Sequence, residues 1–135
     1  MSRIKICGLR RPEDIAAVNE ARPDYCGFIV EYPKSRRSID RATLRELVQG
    51  LREEIVPVGV FVNAPKELVA DLLEEGTIQI AQLHGQESQE YIQELKVLTE
   101  KPLIQAFSIK SKEDVERARE SVADYILLDQ GSGGT

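Results

Sequence analysis

Only two cysteines, Cys7 and Cys26, and a single histidine, His84, occur among the 135 residues of this chain. Two cysteines are too few for a disulfide scaffold. Cys7 is expected at the end of one strand and Cys26 near the start of the next. In neighbouring parallel strands the sulfurs would then sit several residues apart, beyond the Cα separation of about 7 Å that a bridge tolerates. Two free thiols suit a cytoplasmic location. No run approaches the roughly 20 apolar residues that cross a bilayer, which argues against a membrane protein. The opening Met1-Ser2-Arg3-Ile4-Lys5 lacks the apolar stretch of a secretion signal. Basic residues are outnumbered, 18 against 23 acidic, for a net charge of −5. The chain as a whole therefore repels nucleic acid, although a local basic cluster can still hold a small anion.

What is present is a repeating unit. Six short runs rich in β-branched residues recur at 3–7, 25–30, 56–62, 79–83, 103–107 and 124–128, most of them bounded by Gly, Pro or Asp. Helix-like segments lie between them. Leu44, Leu47, Val48 and Leu51 fall at i, i+3, i+4 and i+7, and Leu68, Val69, Leu72 and Leu73 form a second stripe closed by Gly76. Pro12 and Pro65 suit the first turns of their helices, and Ser111-Lys112-Glu113-Asp114 has the form of a capping box. Such alternation predicts a parallel sheet with helical crossovers, wound either as an open doubly wound sheet or as a (βα) barrel. A dinucleotide fold lacks its glycine-rich turn, because Cys7-Gly8-Leu9-Arg10-Arg11-Pro12 follows the first strand. A flavodoxin-like signalling domain would show an acidic pair there instead.

The strand ends favour the barrel. Cys7, Asn63, His84, Ser108 and Asp129 each fall at or just past the end of a strand, and Arg37 falls in a loop after another. A barrel gathers all those ends at one mouth, whereas an open sheet gathers only those near its switch point. Asn63 and Ser108 read equally well as ordinary helix-start residues, so Cys7, Arg37, His84 and Asp129 are the informative set. Strand alternation adds that, if Cys7 faces the barrel interior, Lys5 and Arg3 do too. Lys5 is then a candidate for stabilising the thiolate. Cys26 reads as core packing.

Lys5-Ile6-Cys7-Gly8, Gly27-Phe28-Ile29-Val30 with Pro33-Lys34-Ser35-Arg36-Arg37, Val58-Gly59-Val60-Phe61-Val62-Asn63, Gln82-Leu83-His84-Gly85, and Leu127-Leu128-Asp129 with Gly131-Ser132-Gly133-Gly134-Thr135 occur in this order. Together they resemble the phosphoribosylanthranilate isomerases, tryptophan-biosynthesis enzymes with a (βα)8 TIM-type barrel. The resemblance implies a single domain over 1–135 holding about six βα units, an incomplete barrel lacking the last two. It implies an Amadori rearrangement of a phosphorylated aminoaldose to the aminoketose, without metal or other cofactor. Cys7 is the implied base and Asp129 the implied acid, with Arg37, His84 and Lys5 contacting substrate. Arg37 rather than Arg36 matches the arginine that pairs with the anthranilate carboxylate, although one extra residue near Glu31-Tyr32 leaves Arg36 open. Free cysteine titrates near pKa ~8.5 and free aspartate near ~3.9, the reverse of what base and acid need at neutral pH, so the site must supply cations and partial desolvation.

Two further expectations come with an incomplete barrel. The chain as it stands is expected to be nearly inactive, and its first and last strands to present open edges that favour self-association. The rival readings are a non-catalytic barrel subdomain or complementation fragment, and another phosphoribosyl-handling barrel enzyme.

Overall fold

A computed structural model describes residues 3–84 and 87–129, the last of these without its side chain. The elements run β1 (Lys5–Cys7), α1 (Pro12–Ala21), β2 (Tyr25–Val30), β3 (Ser38–Ile39), α2 (Arg41–Gln49), β4 (Val56–Phe61), α3 (Lys66–Glu74), β5 (Ile80–Leu83), α4 (Gln89–Leu98), β6 (Leu103–Ser108), α5 (Lys112–Arg119) and β7 (Tyr125–Asp129). Every pairing is parallel, and the strand order is β1-β2-β4-β5-β6-β7 with β3 beside β2. This order never reverses. A doubly wound sheet must reverse at its switch point, so the winding is that of a barrel, as expected.

All six anticipated strands form. The seventh, β3, is two residues long and lies outside the sequence expectation. Its pairing with Ile29 and Val30 is supported by Glu31 N–H donating to the Ile39 carbonyl (2.8 Å) and Tyr32 N–H to Ser38 Oγ (2.7 Å).

Helix ends follow local chemistry. Asp40 accepts from Thr43 N–H at 2.8 Å and Ser88 from Tyr91 N–H at 3.0 Å, each satisfying a first-turn donor. Asp114 accepts from the Lys110 amide and, as the capping box predicts, from the Ser111 amide, and the Lys110 amide together with the Arg117 guanidinium holds its carboxyl below the usual carboxylate range. Asp14 does the same for the Arg10 and Arg11 amides at the start of α1. Pro12 opens α1 as expected, while Pro65 stands one position earlier than predicted, at the N-cap of α3. Gly76, just past α3, takes φ +85°, which suits glycine.

The main core lies between sheet and helices. Cys26, Phe28 and Val30 of β2, Phe61 of β4 and Leu83 of β5 are fully buried there with Leu44, Leu72 and Leu95 of the helices. Leu68, Val69, Leu72 and Leu73 are all buried as the helical stripe requires, and Leu44 and Leu47 anchor α2. The opposite, concave face encloses a cavity of about 400 Å³ lined by Lys5, Tyr25, Ile80, Gln82, Ile104 and Leu127, among others. Among the described residues, no helix is long and apolar enough to cross a membrane.

Candidate active site

Because all strands run the same way, their C-terminal ends share one rim. Cys7 ends β1, His84 directly follows β5, Ser108 ends β6 and Asp129 ends β7 in register with Ser108. The Asp129 side chain lies outside the described residues, as do Gly85 and 131–135 from the motifs singled out above.

Cys7 is exposed and Cys26 buried, both as free thiols. Their separation has a different cause from the one expected. The register pairs Ile6 with Cys26 and Cys7 with Gly27, so the two cysteines are offset by a single position. Alternation puts them on opposite faces of the sheet instead. Cys26 packs into the helix-side core, where burial, and secondarily the Cys7 sulfur, pushes its thiol up to about 12. Cys7 faces the concave side.

Gly27 makes that orientation possible. A Cβ at this position would lie 2.7 Å from Cys7 Sγ and 3.2 Å from Lys5 Cε. The missing side chain is the space that the thiol and the lysine stem occupy. Nothing in the sequence signals this role, which appears only when the strand register is known. Lys5 is on the interior side, as alternation predicts, with its ammonium donating to Gln82 Oε1 of β5. Desolvation holds the Lys5 ammonium below the ordinary lysine range, and the Cys7 sulfur acts in the opposite direction. Solvent still reaches Lys5 through the open concave face.

At the rim, Cys7 lines a cavity of about 250 Å³ with Gly8, Arg10, Arg11, Asp14 and Arg37. Gly8 has φ +87°, and a Cβ there would lie 2.6 Å from Arg37 Cδ and 2.9 Å from Nη1. The guanidinium arm of Arg37 therefore rests directly on the turn after Cys7. Arg36 is not part of this wall. Its carbonyl accepts from Arg10 Nη1 at 3.0 Å. Arg11 is engaged by Glu13 and Asp14. Among the described residues, Arg37 has no carboxylate within ion-pair distance, which leaves a cation beside the thiol. Arg10 and Arg11 were visible in the sequence as the residues standing where an acidic pair would be, but their place beside Cys7 depends on the turn.

His84 and Ser108 line a second rim cavity of about 630 Å³, with Gln105, Lys110 and Arg117 around it. His84 N–H donates to the Phe61 carbonyl at 2.8 Å, and its Nδ1 lies 3.4 Å from Gln82 Nε2. Asn63, at φ +50°, gives its N–H to the buried Glu87 carboxylate at 2.7 Å. It serves the β4–α3 turn, while the anticipated Cys7, Arg37, Lys5 and His84 surround the concave face and its rim. Among the described residues, no group of three or more His, Cys, Asp or Glu is placed to hold a metal ion.

Residues 4–135 match the family profile described as N-(5'-phosphoribosyl)anthranilate (PRA) isomerase. The chain is 41% identical over its whole length to the N-(5'-phosphoribosyl)anthranilate isomerase of Caldanaerobacter subterraneus subsp. tengcongensis, covering 66% of that protein. It is 42% identical to the enzyme of that name from Acetivibrio thermocellus, over 99% of this chain and 65% of the relative. Among solved structures, phosphoribosyl anthranilate isomerase from Thermus thermophilus aligns with a TM-score of 0.81 at 37% identity, over 99% of this chain and 65% of the other. A phosphoribosyl anthranilate isomerase in complex with reduced 1-(o-carboxyphenylamino)-1-deoxyribulose 5-phosphate aligns with the same TM-score at 36% identity, over 96% and 65%. The chain thus spans about two thirds of the length of these relatives. With a profile match over nearly its whole length and a sequential parallel sheet that superposes on those barrels, the chain belongs to the N-(5'-phosphoribosyl)anthranilate isomerase family.

Proposed function

We propose that this chain supplies the base, the acid and the carboxylate-binding arginine for isomerising N-(5'-phosphoribosyl)anthranilate to its aminoketose, a step of tryptophan biosynthesis. The observation that carries this reading is an exposed thiol at the β1 rim, given room by Gly27 and flanked by Arg37, which has no carboxylate partner among the described residues. Asp129 protonates the ribose ring oxygen as the C1'–oxygen bond breaks and the nitrogen lone pair forms the Schiff base. The Cys7 thiolate then removes the C2' proton, and the electron pair neutralises the iminium nitrogen to give an enolamine that tautomerises to the ketone. Arg37 pairs with the anthranilate carboxylate, Lys5 places positive charge on the interior side of Cys7, and His84 contacts substrate from β5. Register supports the partnership, because Asp129 ends β7 level with Ser108 of β6, at the same end of the parallel sheet as Cys7 of β1. The bound compound in the related structure is a phosphorylated carboxyphenylamino sugar, which agrees with a small phosphorylated substrate.

Turnover by the 135-residue polypeptide alone is expected to be slow, because β1 and β7 are opposite ends of the sheet and the cavity between them is open to water. The same openness favours a second reading of the isolated polypeptide, a non-catalytic subdomain that self-associates through its edges. An anthranilate-fluorescence assay with Cys7→Ala and Asp129→Asn variants tests the chemistry. Each should lose at least about a hundredfold, the scale of general acid–base catalysis. Undiminished turnover by either variant removes that residue from the mechanism.

A further inference from the structure

Gln82 lies at the centre of a polar chain that crosses the concave interior. It is 4% exposed, and its strand neighbours in register are Val60 on β4 and Ile104 on β6, both apolar. A buried carboxamide must still satisfy its donors and acceptor. Its partners are therefore across the interior and along its own strand: the Lys5 ammonium at Oε1 and the His84 ring at Nε2.

The chemistry of those partners orders the chain. An ammonium only donates, so the carboxamide must turn its oxygen to Lys5. Its NH2 then faces His84 and donates, which requires His84 Nδ1 to accept. A neutral imidazole that accepts at Nδ1 carries its proton on Nε2. We infer that Gln82 is a positioning residue that holds the Lys5 ammonium on the interior side of Cys7 and fixes His84 as the Nε2–H tautomer, a hydrogen-bond donor to the cavity it lines. His84 thus offers a proton to an oxygen of the substrate, a hydroxyl or carboxylate, and does not serve as a second base competing with Cys7. The inference rests on the isomerase reading for what that donor is for, but the arrangement is measurable without turnover.

His84 is the only histidine in the sequence, so 15N-histidine labelling of the full 135-residue chain gives one pair of ring-nitrogen signals. At pH 8 the expected spectrum has Nδ1 unprotonated and Nε2 protonated. Gln82→Glu offers only acceptors, keeps the grip on Lys5, and should move the Nδ1 resonance to the protonated position. Gln82→Leu should leave the averaged mixture of tautomers typical of an unrestrained imidazole. A wild-type ring protonated at Nδ1, or averaged between tautomers, overturns the inference, and this holds even if neither variant folds. Wild-type signals retained in both variants overturn it as well. A chain that shows the expected pattern, but whose turnover is undiminished by Cys7→Ala and Asp129→Asn, would sink the proposed chemistry and leave the role of Gln82 intact. An active chain with an averaged ring does the reverse.

Discussion

The proposed base and acid end the two edge strands of the sheet, and those edges differ in kind. β1 is three residues long and flanked by charge, with Arg3 donating to the Tyr25 hydroxyl at 2.7 Å and Lys5 engaged by Gln82. β7 is apolar over four positions, and Tyr125, Ile126, Leu127 and Leu128 are all substantially exposed. A short charged edge resists pairing with another chain, whereas an exposed apolar edge invites it. Equal positions in the topology therefore have unequal consequences. β1 presents charge, and β7 presents apolar surface.

A central strand sharpens the contrast. β4 is no more apolar in sequence than β7, yet Phe61 is fully buried and Leu128 is 57% exposed. Truncating Phe61→Ala should cost about 3–5 kcal/mol, the usual loss for a buried aromatic. Leu128→Ala should cost under about 1 kcal/mol, because little of its surface leaves water on folding. Urea unfolding of the two variants measures the difference. Equal costs would mean that β7 is covered in solution.

At the β1 rim the decisive position is Gly27. In Gly27→Ala the added methyl would lie 2.7 Å from Cys7 Sγ, so the thiol must move. Turnover is expected to fall about a hundredfold, consistent with displacing a reacting group by about 1 Å, with little change in the urea midpoint. Unchanged turnover would show that Cys7 is placed by something other than this floor.

The face a cysteine occupies also sets its response to pH. Cys26 has an ordinary value of 9.0 and a folded value pushed up to about 12. Folding thus favours its neutral thiol, and its contribution to stability is complete below about pH 9 and lost as pH rises from 9 to 12. Tyr91, whose hydroxyl donates to the Ala64 carbonyl, is shifted upward as well and acts in the same direction. Only the part of the alkaline loss that disappears in Cys26→Ala belongs to the thiol. In the native chain at pH 8, iodoacetamide should label Cys7 at least tenfold faster than Cys26, a ratio that peptide mapping reads directly. Equal labelling would contradict the opposed faces.

How much of this was legible beforehand depends on how local each signal is. β2, β4 and the stripes of α2 and α3 were readable because burial on a regular element imposes a period on the sequence. The placement of Lys5 followed from alternation once Cys7 was taken to face the interior. β3 was not readable, because two residues carry no period and its pairing depends on the loop that returns from Glu31. The relation of Cys7 to Cys26 was misjudged in height, since register is set by two strands together and neither sequence segment states it. Gly27 and Gln82 were quoted as motif letters without a role. One acts through an absent side chain and the other through partners 77 and 2 residues away. The roles of Cys7 and Asp129 came from family resemblance, for no spacing in the chain names an acid or a base.

The edge comparison ends in a test that should shift assembly while barely touching the fold. Leu127 lines the concave cavity and is 42% exposed, so a lysine can take its place with its ammonium in water. Leu127→Lys gives β7 the kind of charge that β1 already has. If the apolar edge drives association, sedimentation velocity should show the wild-type chain growing heavier with concentration and the variant remaining monomeric over the same range. The urea midpoint should change little, because the helix-side core is untouched. A wild-type chain that is monomeric throughout would show that β7 is protected without added charge, and the asymmetry between the two edges would then concern composition and not behaviour.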